Sequence, residues 1–202
     1  RGNRIEIDGI DAYADTPGDD SVASQQVRNR ATRMLWDPNY SDPNWFGDIG
    51  INDNRVVNYI PSLRAMIAQY CPGLQLGFTE YNWGDEDQLN GATTQADVLG
   101  IYGRENLDYA TRWTVATHKD DNTGVITYYP TYLASQIYRN YDGNKSTFGD
   151  TSVSANVAEP DNLSAFASVL DNRSQSHSIV LGTVVASAPA PRRAVRATST
   201  GF

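Results

Sequence analysis

A single cysteine in 202 residues, Cys71 in a "YCPG" turn, leaves no internal disulfide to form. Only two histidines, His118 and His177, accompany that thiol. Such a set is too poor in donors for the usual zinc sites, and neither a metal nor a cofactor is expected. Apolar runs never approach the ~18–20 residues of a membrane span, so no membrane partner is expected either. No GxGxxG or Walker loop follows a predicted strand, which counts against a nucleotide-binding sheet. Positive charge is scarce: 16 Lys and Arg stand against 24 Asp and Glu, for a net charge of −8. Phosphates would be repelled by that balance, and nucleic acid is not an expected partner. There is also no initiating Met and no signal peptide. The opening "RGNRIEIDGIDAYAD" reads as a strand already under way, as if cut from a longer protein, so secretion stays open.

What is present is a soluble, globular composition, 40% hydrophobic and 20% charged. Twelve Tyr and four Trp are a generous aromatic supply. They could simply fill a core, or they could serve as faces for a neutral polymer such as a polysaccharide.

Ile5, Ile7 and Ile10 lead into Ala12 and Tyr13, which predicts a first strand ending in "ADTPGDD". Residues 20–36 predict a helix capped by Asp20 or Ser21, with Val22, Val27, Ala31, Met34 and Leu35 roughly on one face. After the loop "WDPNYSDPNWFGDIGINDN", a second helix runs from about Val56 to Tyr70, with Pro61 acceptable only at an early start or a kink. "CPG" ends it. Leu74–Thr79 is the next strand, residues 91–106 a third helix with Ala92, Ala96, Leu99 and Tyr102 or Gly103 inward, Tyr109–Thr114 a strand and residues 129–140 a fourth helix. The order β-α-α-β-α-β-α predicts an α/β fold of parallel strands with helical crossovers, either a (β/α) barrel or an open doubly wound sheet. From Ser146 the pattern changes to strand-length runs separated by "PDN" and "NRSQS", which predicts antiparallel β, part of a sandwich. "YDGNKS" at 141–146 is the expected boundary.

"FTEYNWG" at 78–84 sets an acid, Glu80, at the end of the run in which Leu74, Leu76 and Phe78 alternate with Gln75, Gly77 and Thr79. In a parallel barrel the reacting groups sit at the C-terminal ends of strands. Trp113 and Tyr13 fall at such ends too. Aromatic faces stack on pyranose rings, and a carboxylate stabilises positive charge at the anomeric carbon. Position and composition alone favour the plainer reading, an exposed loop acid beside packed aromatics. Asp85, Glu86 and Asp87 read as a solvated charge cluster, and Glu105 and Asp108 as acids on the opposite barrel face. Asp37, Asp42 and Asp48 lack the rhythm of a calcium loop.

The blocks "RMLWDPNYSDPNWFGD", "YIPSLRAMIAQYCPGLQLGFTEYNWG", "NGATTQADVLGIYGRENLDYATRWT" and "IYRNYDGNKSTFGDTSVSA" resemble, in order over about residues 5–155, glycoside hydrolase family 44. The resemblance implies a retaining endo-β-glucanase, active on β-glucan or xyloglucan, with a (β/α)8 TIM barrel followed by a β-sandwich. It also implies secretion and a β-glucan polysaccharide partner. On it, residues 1–141 are the C-terminal part of the barrel (about strands six to eight), 142–186 a partial sandwich and 187–202 a disordered tail. The Glu of the family's "TEYN" motif, its nucleophile, falls on Glu80; Tyr81, Asn82 and Trp83 would shape the floor beside it, and Trp113 and Tyr13 would meet sugar. Two departures stand out. The family's histidine-tyrosine-tyrosine-proline run is Asp11, Ala12, Tyr13 and Ala14 here, and the "NEP" motif bearing the general acid is absent from these residues. A non-catalytic β-glycan-binding protein is the competing expectation.

Overall fold

A computed structural model describes residues 21–41, 56–113 and 115–169, together with the backbone of strands at 6–7, 10–11 and 176–182. Strands β1 (Glu6–Ile7) and β2 (Ile10–Asp11) pair antiparallel. Helix α1 (Val22–Ala31) starts at Ser21, whose hydroxyl accepts the Ser24 N–H, and runs on as a 3-10 turn, Thr32–Leu35. Val27, Ala31, Met34 and Leu35 are buried, as their spacing predicts, whereas Val22 in the first turn is exposed.

Helix α2 (Tyr59–Tyr70) holds Pro61 in its first turn. The N–H groups there have no intrahelical acceptor, so the missing donor costs nothing and no kink is needed. The chain leaves α2 through Cys71 and the left-handed Gly73. It enters strand β3 (Gly77–Tyr81), which is joined by helix α3 (Leu89–Arg104) to the parallel strand β4 (Tyr109–Arg112).

This β-α-β unit carries the core. Val98, Ile101 and Tyr102 of α3 pack with Met34, Leu35, Ile60, Leu76 and Trp83. Helix α3 is buried on a second side as well: Ala96 meets Ala134 and Tyr138 of helix α4 (Pro130–Arg139), and the Tyr138 hydroxyl donates to the Ala96 carbonyl at 2.8 Å. The single inward face expected for residues 91–106 is therefore two faces.

Between β4 and α4 lies a hairpin, β5 (Thr117–Lys119) and β6 (Ile126–Tyr128), that sequence patterning does not signal. Beyond α4, strands β7 (Thr151–Val153), β8 (Leu163–Val169) and β9 (Ser176–Gly182) form an antiparallel sheet in sequential order, as the change of pattern at Ser146 predicts. Gly100 of α3 lies directly under the Phe166 ring of β8. Any side chain there would overlap the ring, so glycine allows sheet and helix to meet. Residues 187–202 lie outside the described residues.

Candidate active site

Strand β3 begins later and ends later than its alternation suggests. Leu74 is exposed, its N–H donating to the Cys71 carbonyl in the turn after α2; the ladder starts at Gly77 and extends through Tyr81. Glu80 thus lies inside the strand, not after it, and in an unusual conformation. Its φ is 56°, in the left-handed region, which costs a non-glycine residue on the order of 1–3 kcal/mol. Thr79 pairs with Thr111 and Tyr81 with Arg112, so Glu80 is the extra residue of a β-bulge.

The bulge decides where Glu80 goes. Phe78 packs edge-on against Tyr102 of α3, and so does Tyr81, with ring centroids 5.8 and 5.2 Å apart. In a regular strand Glu80 would share the Phe78 face and be driven into α3. With one residue inserted, Thr79 and Glu80 are both exposed and Tyr81 takes the helix-facing position. Glu80 makes no hydrogen bond or ion pair among the described residues.

Glu80, Tyr81, Asn82 and Trp83 line one cavity of about 310 Å³, together with Leu35, Tyr59, Phe78 and Tyr102. Trp83 is 5% exposed and forms wall, not platform; its buried indole N–H has no partner among the described residues. Burial raises the Tyr81 phenol above its ordinary value, opposed by the Gln95 hydrogen bond and the nearby Arg112 charge. Trp113 follows β4, is 49% exposed, and is fastened beside β3 by its backbone N–H, which donates to the Tyr81 carbonyl at 3.0 Å. Tyr13 lies outside the described residues. Asp11 is seen only as backbone, paired with Glu6.

A partly buried polar assembly beside these residues has no counterpart in the sequence patterning. Arg112 Nη2 donates to Asn82 Oδ1 at 3.0 Å and to Glu86 Oε1 at 2.8 Å, and Arg112 Nε donates to Gln95 Oε1 at 3.2 Å. Gln95 Nε2 in turn donates to the Tyr81 hydroxyl at 3.0 Å. Asn82 Nδ2 donates to Glu86 at 2.9 Å, and Asn82 Oδ1 accepts the Gly84 N–H at 2.8 Å. One layer further on, Arg28 pairs with Asp85 at 3.1 Å, both side chains fully buried, and donates to Asn90 at 2.5 Å.

Asp85 and Glu86 are therefore not solvated charges. Each faces an arginine from a distant part of the chain, and local sequence cannot announce such a pairing. Glu105 pairs with Arg104. Asp108 accepts the Leu76 N–H and pairs with Arg64 at the opposite end of the strands. Asp37 pairs with Arg33, while Asp42 and Asp48 lie outside the described residues. Among the described residues no group of three or more His, Cys, Asp or Glu could hold a metal ion.

No protein-family model matches the chain. Individual proteins do. Endoglucanase A of Paenibacillus lautus is 38% identical over 165 residues, 81% of this chain and 22% of that protein. The beta-mannanase/endoglucanase A of Caldicellulosiruptor saccharolyticus is 33% identical over 177 residues, 84% of this chain but 12% of its own length. The chain thus spans less than a quarter of the curated relatives it matches. Among solved structures, CelM2, a bifunctional glucanase-xylanase from a metagenome library, is 50% identical over 81% of the chain and 28% of its own, with a TM-score of 0.68. A Paenibacillus polymyxa xyloglucanase from glycoside hydrolase family 44 is 31% identical over 90% of the chain and 33% of its own, with a TM-score of 0.74. The family 44 endoglucanase Cel44A of Clostridium thermocellum also scores 0.74, at 30% identity over 90% of the chain and 33% of its own. In sequence and in fold, this chain belongs to glycoside hydrolase family 44.

Proposed function

We propose that the chain carries the nucleophile half of a retaining endo-β-1,4-glucanase acting on cellulose-type β-glucans or xyloglucan, with Glu80 as nucleophile. The observation that carries this reading is that Glu80 is held by a bulge at the C-terminal end of a parallel strand, lining an aromatic cavity, with no hydrogen-bonding or ionic partner among the described residues. Its acidic neighbours Asp85 and Glu86 are paired. A carboxylate that is not engaged keeps its lone pairs for an anomeric carbon.

In this reading Glu80 attacks the anomeric carbon as the glycosidic oxygen departs with a proton from a second carboxyl about 5–5.5 Å away. An α-glucosyl ester of Glu80 forms, with the anomeric configuration inverted. Water, deprotonated by the same second carboxyl, then releases a sugar of retained configuration. No "NEP" motif occurs in these 202 residues, so the second carboxyl comes from a segment outside them. Residues 1–141 correspond to about strands six to eight of a (β/α)8 barrel and 142–186 to part of a β-sandwich, in a secreted protein. Trp113 stacks on sugar, Tyr13 meets sugar with it, and Tyr81, Asn82 and Trp83 form the floor. The chain by itself is inactive on polysaccharide, because general acid help is worth ~10²–10⁴ in rate.

The test is Glu80→Gln in the full-length protein. Folding stays intact, and hydrolysis of a β-glucan falls by several orders of magnitude. Azide added to Glu80→Ala restores turnover and yields a glycosyl azide of inverted configuration. Near-normal hydrolysis by Glu80→Gln ends the assignment. Glycan binding without hydrolysis in the unaltered full-length protein favours the non-catalytic β-glycan-binding alternative.

A further inference from the structure

We propose that Arg112 is a positioning residue for Glu80: its guanidinium holds the two residues that follow Glu80, and thereby the bulge that keeps the Glu80 carboxylate on the open face. The proposal rests on the reading of Glu80 as nucleophile and extends it to the group that sets its geometry.

Arg112 is the ladder partner of Tyr81 only because the register shifts across Glu80. From that place its guanidinium reaches both residues after the bulge. It bonds Asn82 directly and Tyr81 through Gln95. It also bonds Glu86, whose carboxylate takes the Asn82 amide as well. The backbone carbonyl of Glu86 accepts from the Thr131 N–H and hydroxyl at the start of α4, at 3.2 and 2.9 Å. The loop after Glu80 is thus tied at residues 81, 82 and 86, with one guanidinium common to all three.

Geometry, more than charge, is what these bonds require. A guanidinium presents its N–H groups in a rigid planar fork, and here one fork serves three acceptors on two elements. A lysine ammonium in its place would satisfy the Glu86 charge but could not span Gln95 and Asn82 together. A left-handed glutamate does not persist unaided, since relaxing to ordinary strand geometry relieves strain. Relaxation would return residue 80 to the helix-facing side and require Tyr81 to leave its Gln95 and Tyr102 contacts. Arg112 opposes that motion without touching Glu80.

The experiment uses the full-length protein carrying Arg112→Gln, Arg112→Lys or, from the helix side and more conservatively, Gln95→Met. The measurements are kcat and KM on an aryl β-cellobioside, thermal stability, and a crystal structure of Arg112→Gln. The expected result is a fall in kcat of about 10²-fold for Arg112→Gln with KM little changed, because small misplacements of a reacting group cost that much. Arg112→Lys should recover part of the loss, Gln95→Met should lose less, and in the crystal Glu80 should leave its positive φ. A lowered melting temperature with unchanged kcat overturns the proposal, as does a Glu80 backbone unmoved in Arg112→Gln. If Arg112→Gln does not fold, an unchanged kcat in Gln95→Met overturns it equally. Glu80→Gln, measured alongside, separates the two claims: activity surviving there removes the nucleophile reading, while the position of Glu80 in the Arg112→Gln crystal still decides whether Arg112 positions it.

Discussion

The two ends of the β3–β4 pair are held in opposite ways. At the start, Asp108 accepts the Leu76 N–H at 2.7 Å and pairs with Arg64 at 2.9 Å, in a partly exposed bridge. The Asp108 N–H returns a bond to the Leu76 carbonyl. Every strong group is engaged, and the acid serves the fold. At the other end Arg28 and Asp85 pair in full burial, and Arg112 and Glu86 pair in partial burial beside them. There the acid on the open face, Glu80, makes no hydrogen bond or ion pair among the described residues and holds a left-handed, strained conformation. Structure at one end consumes its carboxylate. The other leaves one exposed at the C-terminal end of the strands, the end that carries the reacting groups in parallel barrels.

Disruption of the buried pair should have the largest effect on stability. Asp85→Ala removes one partner of a fully buried ion pair, which should cost ~3–5 kcal/mol in chemical denaturation. A loss below about 1 kcal/mol would mean that the two ends are held alike.

Removal of the half-exposed aromatic beyond β4 should be milder and confined to binding. Trp113→Ala in the full-length protein should weaken oligosaccharide affinity by ~1–3 kcal/mol, the range for an aromatic anchor. Unchanged affinity with lost stability would make Trp113 a packing residue.

The smallest effect belongs to the start of the strands. Hydrogen bonding from Leu76, opposed by desolvation and supported by the Arg64 hydrogen bond and charge, holds the Asp108 carboxyl below its ordinary value of 3.8. A carboxylate with a depressed folded value stabilises above its unfolded pKa and loses that contribution as pH falls through the folded value. Asp108→Asn should therefore melt slightly lower than the parent near neutrality. The gap should close as pH falls below the ordinary carboxylate range, and a gap independent of pH would contradict the assignment.

Much of this was legible because local rules and packing agree. Ser21 caps α1, Pro61 sits where a helix tolerates it, and Ala96 and Tyr102 are buried on α3. Glu80 was legible as a candidate from its place after an apolar run in "FTEYNWG". Its bulge was not, since glutamate has no special preference for positive φ, and the inserted residue shows only against the β4 register. The Arg28–Asp85 pair spans 57 residues, beyond any local pattern. The β5–β6 hairpin escaped notice because both strands are three residues long and mostly exposed, so no alternation marks a buried face.

The most direct test of the account is to trap the covalent intermediate. A 2-deoxy-2-fluoro β-cellobioside with a good leaving group, incubated with the full-length protein and followed by peptide mass spectrometry, reports which carboxylate attacks. The account predicts one fluoroglycosyl ester, on the peptide containing "FTEYNWG" and mapped to Glu80, and none in Glu80→Gln. An ester on any other carboxylate, or undiminished labelling of Glu80→Gln, would contradict it.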